Sequence, residues 1–168
     1  MADMNRRWLL KSRPAGMPKQ SDWELAEAPV PQPGEGRLVA HACWLSVDPY
    51  MRGRVAKIAS YARGVEPGEV MQGGGVGVVT ASRHPAFREG DVVESMAWGW
   101  QDYAELPPQA TRKVDPALGP MRHALGVLGM PGLTAYFALL DVGKPRAGDT
   151  VVVSAASGAV GQVVGQIA

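Results

Sequence analysis

The chain is poor in the residues that build covalent or metal-bound frameworks. Its 168 residues hold one cysteine, Cys43, and three histidines, His41, His84 and His123. One cysteine cannot close a disulfide within the chain, and it excludes a cysteine-only zinc site. The histidines lie far apart without metal-ligand spacing, so surface or structural roles are expected of them and no metal site is expected. Cys43 sits in an apolar run, where burial as a small hydrophobe is the expectation. Nothing in the spacing supports a Cys–His catalytic pair. No apolar run approaches the roughly 20 residues of a membrane span. The opening Met1-Ala2-Asp3-Met4-Asn5-Arg6-Arg7 lacks the apolar core of a signal peptide. A cytoplasmic protein in a reducing compartment is expected. The net charge is only +1, and the densest basic places are Arg6-Arg7 and Arg52/Arg54. Neither nucleic acid nor an anionic membrane is therefore an expected partner.

Glycine (21) and proline (14) are plentiful, and they separate short apolar runs. Strands are expected at Arg6–Lys11, Trp23–Glu27, Arg37–Val47, Val70–Ala81 and Val92–Met96, with further short ones within Trp98–Leu106 and Thr111–Val114. Ser60–Glu69 reads as a loop. Many short strands with irregular turn spacing imply an all-β, barrel-like domain. The character changes near Pro120. Gly132–Val142 is dense enough in apolar residues for a buried helix, stopped by Gly143-Lys144-Pro145. Asp149–Ser154 reads as the first strand of a parallel sheet, and the stretch after Gly161 opens a helix. The expected division is residues 1–125 and 126–168.

Ala156-x-Gly158-x-x-Gly161 is a GxGxxG-type loop with alanine in first place. Its expected context, between an apolar strand and a helix, is that of the dinucleotide fingerprint. Gly158 lets backbone approach a pyrophosphate, Gly161 lets the helix pack closely, and the helix start offers free amides, Ala159 and Val160 among them, to phosphate. The alternative is a small-residue turn that binds nothing. No Gly-Lys-Ser/Thr follows, which argues against a nucleotide-triphosphate loop. A βαβ unit needs a second strand, and the residues given stop inside the helix, so a truncated chain is expected.

Three blocks carry a family resemblance: Leu45-Ser46-Val47-Asp48-Pro49-Tyr50-Met51-Arg52-Gly53-Arg54, Gly126 to Tyr136 (Gly-Val-Leu-Gly-Met-Pro-Gly-Leu-Thr-Ala-Tyr), and Ala155–Gly161. The chain resembles the zinc-free leukotriene/prostaglandin reductase branch of the medium-chain dehydrogenase/reductase superfamily, and is especially similar to bacterial NADPH-dependent curcumin-reductase-type oxidoreductases. The resemblance implies a β-rich GroES-like barrel domain followed by the start of an α/β Rossmann domain. It also implies NADPH as cofactor and reduction of the C=C bond of α,β-unsaturated ketones or aldehydes, with a small apolar enone as substrate. Zinc-dependent relatives carry Cys-His-Thr-Asp and Gly-His-Glu stretches; here the matching residues are Leu45-Ser46-Val47-Asp48 and Gln72-Gly73-Gly74. Homodimers are common in the family.

Such a reduction needs donors aimed at the carbonyl oxygen where charge grows. By the resemblance, Tyr50 is the first candidate catalytic donor; its alternative is packing at a strand end. Thr134 matches a position near the nicotinamide, with bonding to helix backbone as its alternative. Met130 is a candidate to pack on the ring, or core filler. Asp48 is expected to fix its turn or hold Arg52. Arg52, Tyr61, Trp98 and Trp100 are candidates to line the substrate pocket. Alternation puts Trp98 and Trp100 on one strand face, one expected in the core and one at a pocket rim. Two other functions stay open: a quinone reductase of the same superfamily, and, for these 168 residues alone, a β-rich module without activity.

Overall fold

The computed structural model describes residues 4–56 and 62–168. The chain divides into two compact units, Met1–Ala117 and Leu118–Ala168. In the first, β1 (Met4–Leu10) and β2 (Trp23–Pro29) form an antiparallel pair. β3 (Leu38–Leu45), β4 (Gly75–Ser82), β5 (Val92–Ser95), β6 (Tyr103–Leu106) and β7 (Thr111–Lys113) form an antiparallel sheet in the order β6-β3-β4-β5-β7. Alternation fixes which side chains turn inward. Val93 and Ser95 of β5, and Ala104 and Leu106 of β6, are buried. They point to a core in which Leu38, Ala40, Val79, Val93, Ala104 and Leu106 surround Trp98.

The β1–β2 pair is stitched to the larger sheet's connecting segments. The Trp8 N–H donates to the Trp100 carbonyl at 2.9 Å, and the Met71 N–H to the Trp8 carbonyl at 2.9 Å. Asn5, 3% exposed, imitates a peptide: its Nδ2 donates to the Tyr103 carbonyl and its Oδ1 accepts from the Tyr103 N–H, both at 2.9 Å. The result is the β-rich unit that the strand pattern predicts.

Beside Asn5, Arg6 Nε meets Asp102 Oδ2 at 2.7 Å. Partial burial pushes the Asp102 carboxyl up, but hydrogen bonds from the Arg6 guanidinium and backbone, and the Arg6 charge, outweigh it and hold the carboxyl below its usual range. A folded-state value below the unfolded one stabilises the fold above the unfolded value, and the gain disappears as pH falls through the folded value. Asp102→Asn should therefore flatten the fall of melting temperature on the acid side, as the pH drops below the ordinary aspartate range. Equal slopes in variant and parent would show that the pair does not contribute.

Several expectations change. Trp98–Leu106 is a strand only over Tyr103–Leu106. Gly99 has φ +74° and turns the chain, so Trp98 and Trp100 share no strand face. Cys43 is exposed, not buried. The β3–β4 register jumps between Ala42 and Trp44, so Cys43 is the extra residue of a bulge, and the bulge breaks the inward–outward alternation.

In the second unit, α2 (Met130–Phe137) forms and continues as a π-helical turn over Ala138–Gly143. It ends at Lys144 with φ +49°. The helix is not buried as expected. Pro131, Gly132, Ala135 and Leu139 are buried, while Leu133, Tyr136, Phe137 and Leu140 are exposed. The expected strand Asp149–Ser154 is also absent, and Val152 is 91% exposed. A strand exists only through a neighbour's hydrogen bonds, and none of the described residues supplies them. The expected second helix is present as α3 (Gly161–Ile167).

Candidate functional site

The site begins where β3 ends. Pro49 has no N–H to give a ladder, and the chain leaves the sheet in a helical turn. The Met51 N–H donates to the Asp48 carbonyl at 3.0 Å, the Arg52 N–H to Pro49 at 3.2 Å, and the Gly53 N–H to Tyr50 at 3.0 Å. A short helix, α1 (Met51–Val55), follows. Tyr50 stands at its start, half-buried, against a cluster of Leu10, Met51, Val55, Val65 and Met71.

An apolar pocket of about 260 Å³ adjoins this cluster. Trp23, Val55, Met71 and Trp100 wall it, and the turn contributes Asp48, Met51 and Arg52. Trp100 is held firmly: its Nε1 donates to the Ser46 carbonyl at 3.1 Å, and its ring lies 5.4 Å from that of Trp23, tilted by 37°. A Cβ on Gly73 would come within 3.0 Å of Trp100 Nε1, so the glycine before β4 makes room for the indole. Arg52 Nη2 donates to the Gly16 carbonyl at 2.9 Å, which fixes it at the pocket. Asp48 holds the turn through its backbone, and among the described residues its carboxylate forms no ion pair with Arg52.

Of the residues named from sequence, Arg52 and Trp100 line the pocket. Tyr50 packs on the same cluster without lining it. Trp98 is a correction: it is fully buried in the core and does not line this pocket. Tyr61 lies outside the described residues. Sequence reasoning missed Trp23, Met51 and Met71 as wall residues. Trp23 read only as one end of a half-buried strand, and nothing local pairs it with a residue 77 positions away. Among the described residues, no three His, Cys, Asp or Glu side chains group so as to hold a metal ion.

In the second unit, Met130 opens α2, and Thr134 Oγ1 donates to the Met130 carbonyl at 2.7 Å. The loop Ala155–Ala159 is exposed and runs into α3. A Cβ on Gly161 would collide with the Ala155 carbonyl, so the fold itself demands this glycine. Gly158 is looser; a Cβ there would stand 3.1 Å from the same oxygen. The amides of Ala159, Val160 and Gly161 have no backbone acceptor among the described residues. Amides without a backbone acceptor, beside a loop without side-chain bulk, suit a pyrophosphate.

Residues 6–114 match the family described as the N-terminal domain of oxidoreductase. The NADPH-dependent curcumin reductase of Escherichia coli K12 is 47% identical over 163 residues, 97% of this chain and 47% of that one. The chain belongs to the medium-chain dehydrogenase/reductase superfamily, whose N-terminal oxidoreductase domain it carries. The NADP(+)-dependent 2-alkenal reductase of Nicotiana tabacum is 43% identical over 98% of this chain and 49% of its own. The crystal structure of CurA from Vibrio vulnificus in complex with NADPH superimposes with a TM-score of 0.88 at 46% identity, covering 96% of this chain and 48% of that one. The chain thus spans about half the length of the medium-chain reductases it matches.

Proposed function

We propose that the protein carrying this chain is an NADPH-dependent reductase of the C=C bond of α,β-unsaturated ketones and aldehydes. The observation that carries this reading is the 47% identity, over nearly the whole chain, with an NADPH-dependent curcumin reductase. The apolar pocket beside the Asp48–Arg52 turn supports it. In this reading residues 1–125 form the catalytic domain and residues 126–168 begin the cofactor domain.

Ala156, Gly158, Ala159, Val160 and Gly161 would hold the pyrophosphate of NADPH, and Met130 and Thr134 would lie by its nicotinamide. When bound, NADPH supplies the hydride. The chain's own part is to bind and to stabilise. The Tyr50 hydroxyl donates to the carbonyl oxygen of the enone as negative charge grows there. Arg52, Trp23 and Trp100 hold the apolar body of the substrate. The protein is further proposed to be a cytoplasmic homodimer, which sedimentation would check.

Fluorescence titration with NADPH and NADH tests the first step, and turnover of an enone against a quinone tests the second. Saturable NADPH binding with faster enone turnover is expected. Preference for the quinone would move the protein to the quinone reductases. Gly158→Val should fill the space over the loop and weaken NADPH binding at least about tenfold, since even one-ångström displacements at such sites are costly. Unaltered affinity would make the loop purely structural.

A further inference from the structure

We infer that Arg54 is a positioning residue, which holds the ring of Tyr50 in the orientation its hydroxyl needs. The inference rests on the role given to Tyr50 above. The Arg54 guanidinium carbon lies over the Tyr50 ring, 5.4 Å from its centroid. The residue is 8% exposed. Its Nη1 donates to the Ala62 carbonyl at 3.2 Å. Its backbone is engaged as well: the Arg54 N–H donates to the Tyr50 carbonyl at 3.3 Å, and its carbonyl accepts from the Val65 N–H at 2.8 Å. A Cβ on Gly64 would stand 2.8 Å from that same carbonyl, so residues 62–65 lie close against α1. One residue thus joins the Tyr50 ring, α1 and the segment that follows.

The choice of arginine needs a reason. Burying a cation is costly, and an apolar side chain of similar volume would fill the space without that cost. A guanidinium alone combines a flat, charged face for an aromatic ring with edge donors for a carbonyl. Both are used here. Tyr50 sits past the end of β3, with its ring packed on the cluster of Leu10, Met51, Val55, Val65 and Met71. The guanidinium over the ring adds a restraint from one turn along the helix.

The test combines a double-mutant cycle with ring spectroscopy. In the 168-residue chain with ring-labelled tyrosine, the Tyr50 signals are assigned by their loss in Tyr50→Phe. Arg54→Met should shift them and speed ring flipping, leaving Tyr103 and Tyr136 unmoved. In the protein carrying the chain, Arg54→Met should lower kcat about tenfold with KM for NADPH within about twofold, as expected for lost orientation. In the Tyr50→Phe background the same substitution should change kcat less than about twofold, because the coupled partner is gone. Equal losses in both backgrounds, or unmoved Tyr50 signals, overturn the role of Arg54 while leaving that of Tyr50. If Tyr50→Phe alone leaves kcat unchanged, the role of Tyr50 fails and this inference fails with it. Arg54→Lys keeps stem and charge without the flat face. It should show the same background-dependent loss, and it replaces Arg54→Met should that variant not fold.

Discussion

Tyr50→Phe should lower kcat for an enone by about 10²-fold or more, the usual contribution of a positioned proton donor, and leave NADPH affinity unchanged. The substitution removes one hydroxyl and keeps the ring. The packing on Met51, Val55 and Met71 and the face presented to Arg54 therefore survive. The melting temperature should stay close to the parent's, because no buried apolar group is deleted. Steady-state kinetics over enone concentration, with a separate NADPH titration, checks both halves. The loss must appear in kcat and kcat/KM together, since the hydroxyl acts where charge develops and not in ground-state binding. Unchanged turnover would remove Tyr50 from the mechanism and leave it a packed aromatic at a strand end.

Trp98→Ala should cost about 3–5 kcal/mol of stability, the range for emptying a large aromatic site in a close-packed core. Trp98 is fully buried among Leu38, Val79, Val93 and Leu106. The backbone is shaped around it: a Cβ on Gly75 would stand 2.5 Å from the indole. Trp98→Phe should cost much less, because Trp98 Nε1 has no hydrogen-bond partner among the described residues and nothing polar is lost with it. Urea denaturation of the three proteins, followed by far-ultraviolet circular dichroism, gives both differences. A loss under about 1 kcal/mol for Trp98→Ala would mean that the site collapses freely and is no core centre. The cost should reach the pocket as well. Trp100 is only two residues away, beyond the Gly99 turn, and its indole depends on the Ser46 carbonyl and Trp23.

Much of the first unit was legible because its signals are local. Alternation marked β2, and short runs between glycine and proline turns marked β1, β5 and β7, to within a few residues. The Asp48-Pro49 break marked the exit from β3, since proline removes a ladder donor wherever it stands. What misled was also local. Trp98, Gly99 and Trp100 alternate like a strand, but Gly99 at φ +74° separates a core residue from a pocket residue. Cys43 belongs to an apolar run yet faces out, because a bulge adds one residue and reverses the face. In the second unit, the β-branched run Val151-Val152-Val153 has the composition of a strand without the partner that would make it one. The Ala156–Gly161 loop and α3 form all the same, because a helix closes its own hydrogen bonds and a strand cannot.

The sequence by itself determined the family, the β-rich character of the first unit, the turn that carries Tyr50 and the glycine loop. Each depends on residue types at fixed short spacing, which the backbone reads locally. The tertiary structure alone decided the pairing of Trp23 with Trp100, the separation of Trp98 from Trp100, the exposure of Cys43 and the seat of Arg54 over Tyr50. Trp23 and Trp100 meet through strands and turns far apart in the chain, and the bulge arises from how two strands register against each other. The cation over the tyrosine is one helical turn away in sequence, but the bonds of Arg54 to the Ala62 carbonyl and the Val65 N–H are made only in the fold.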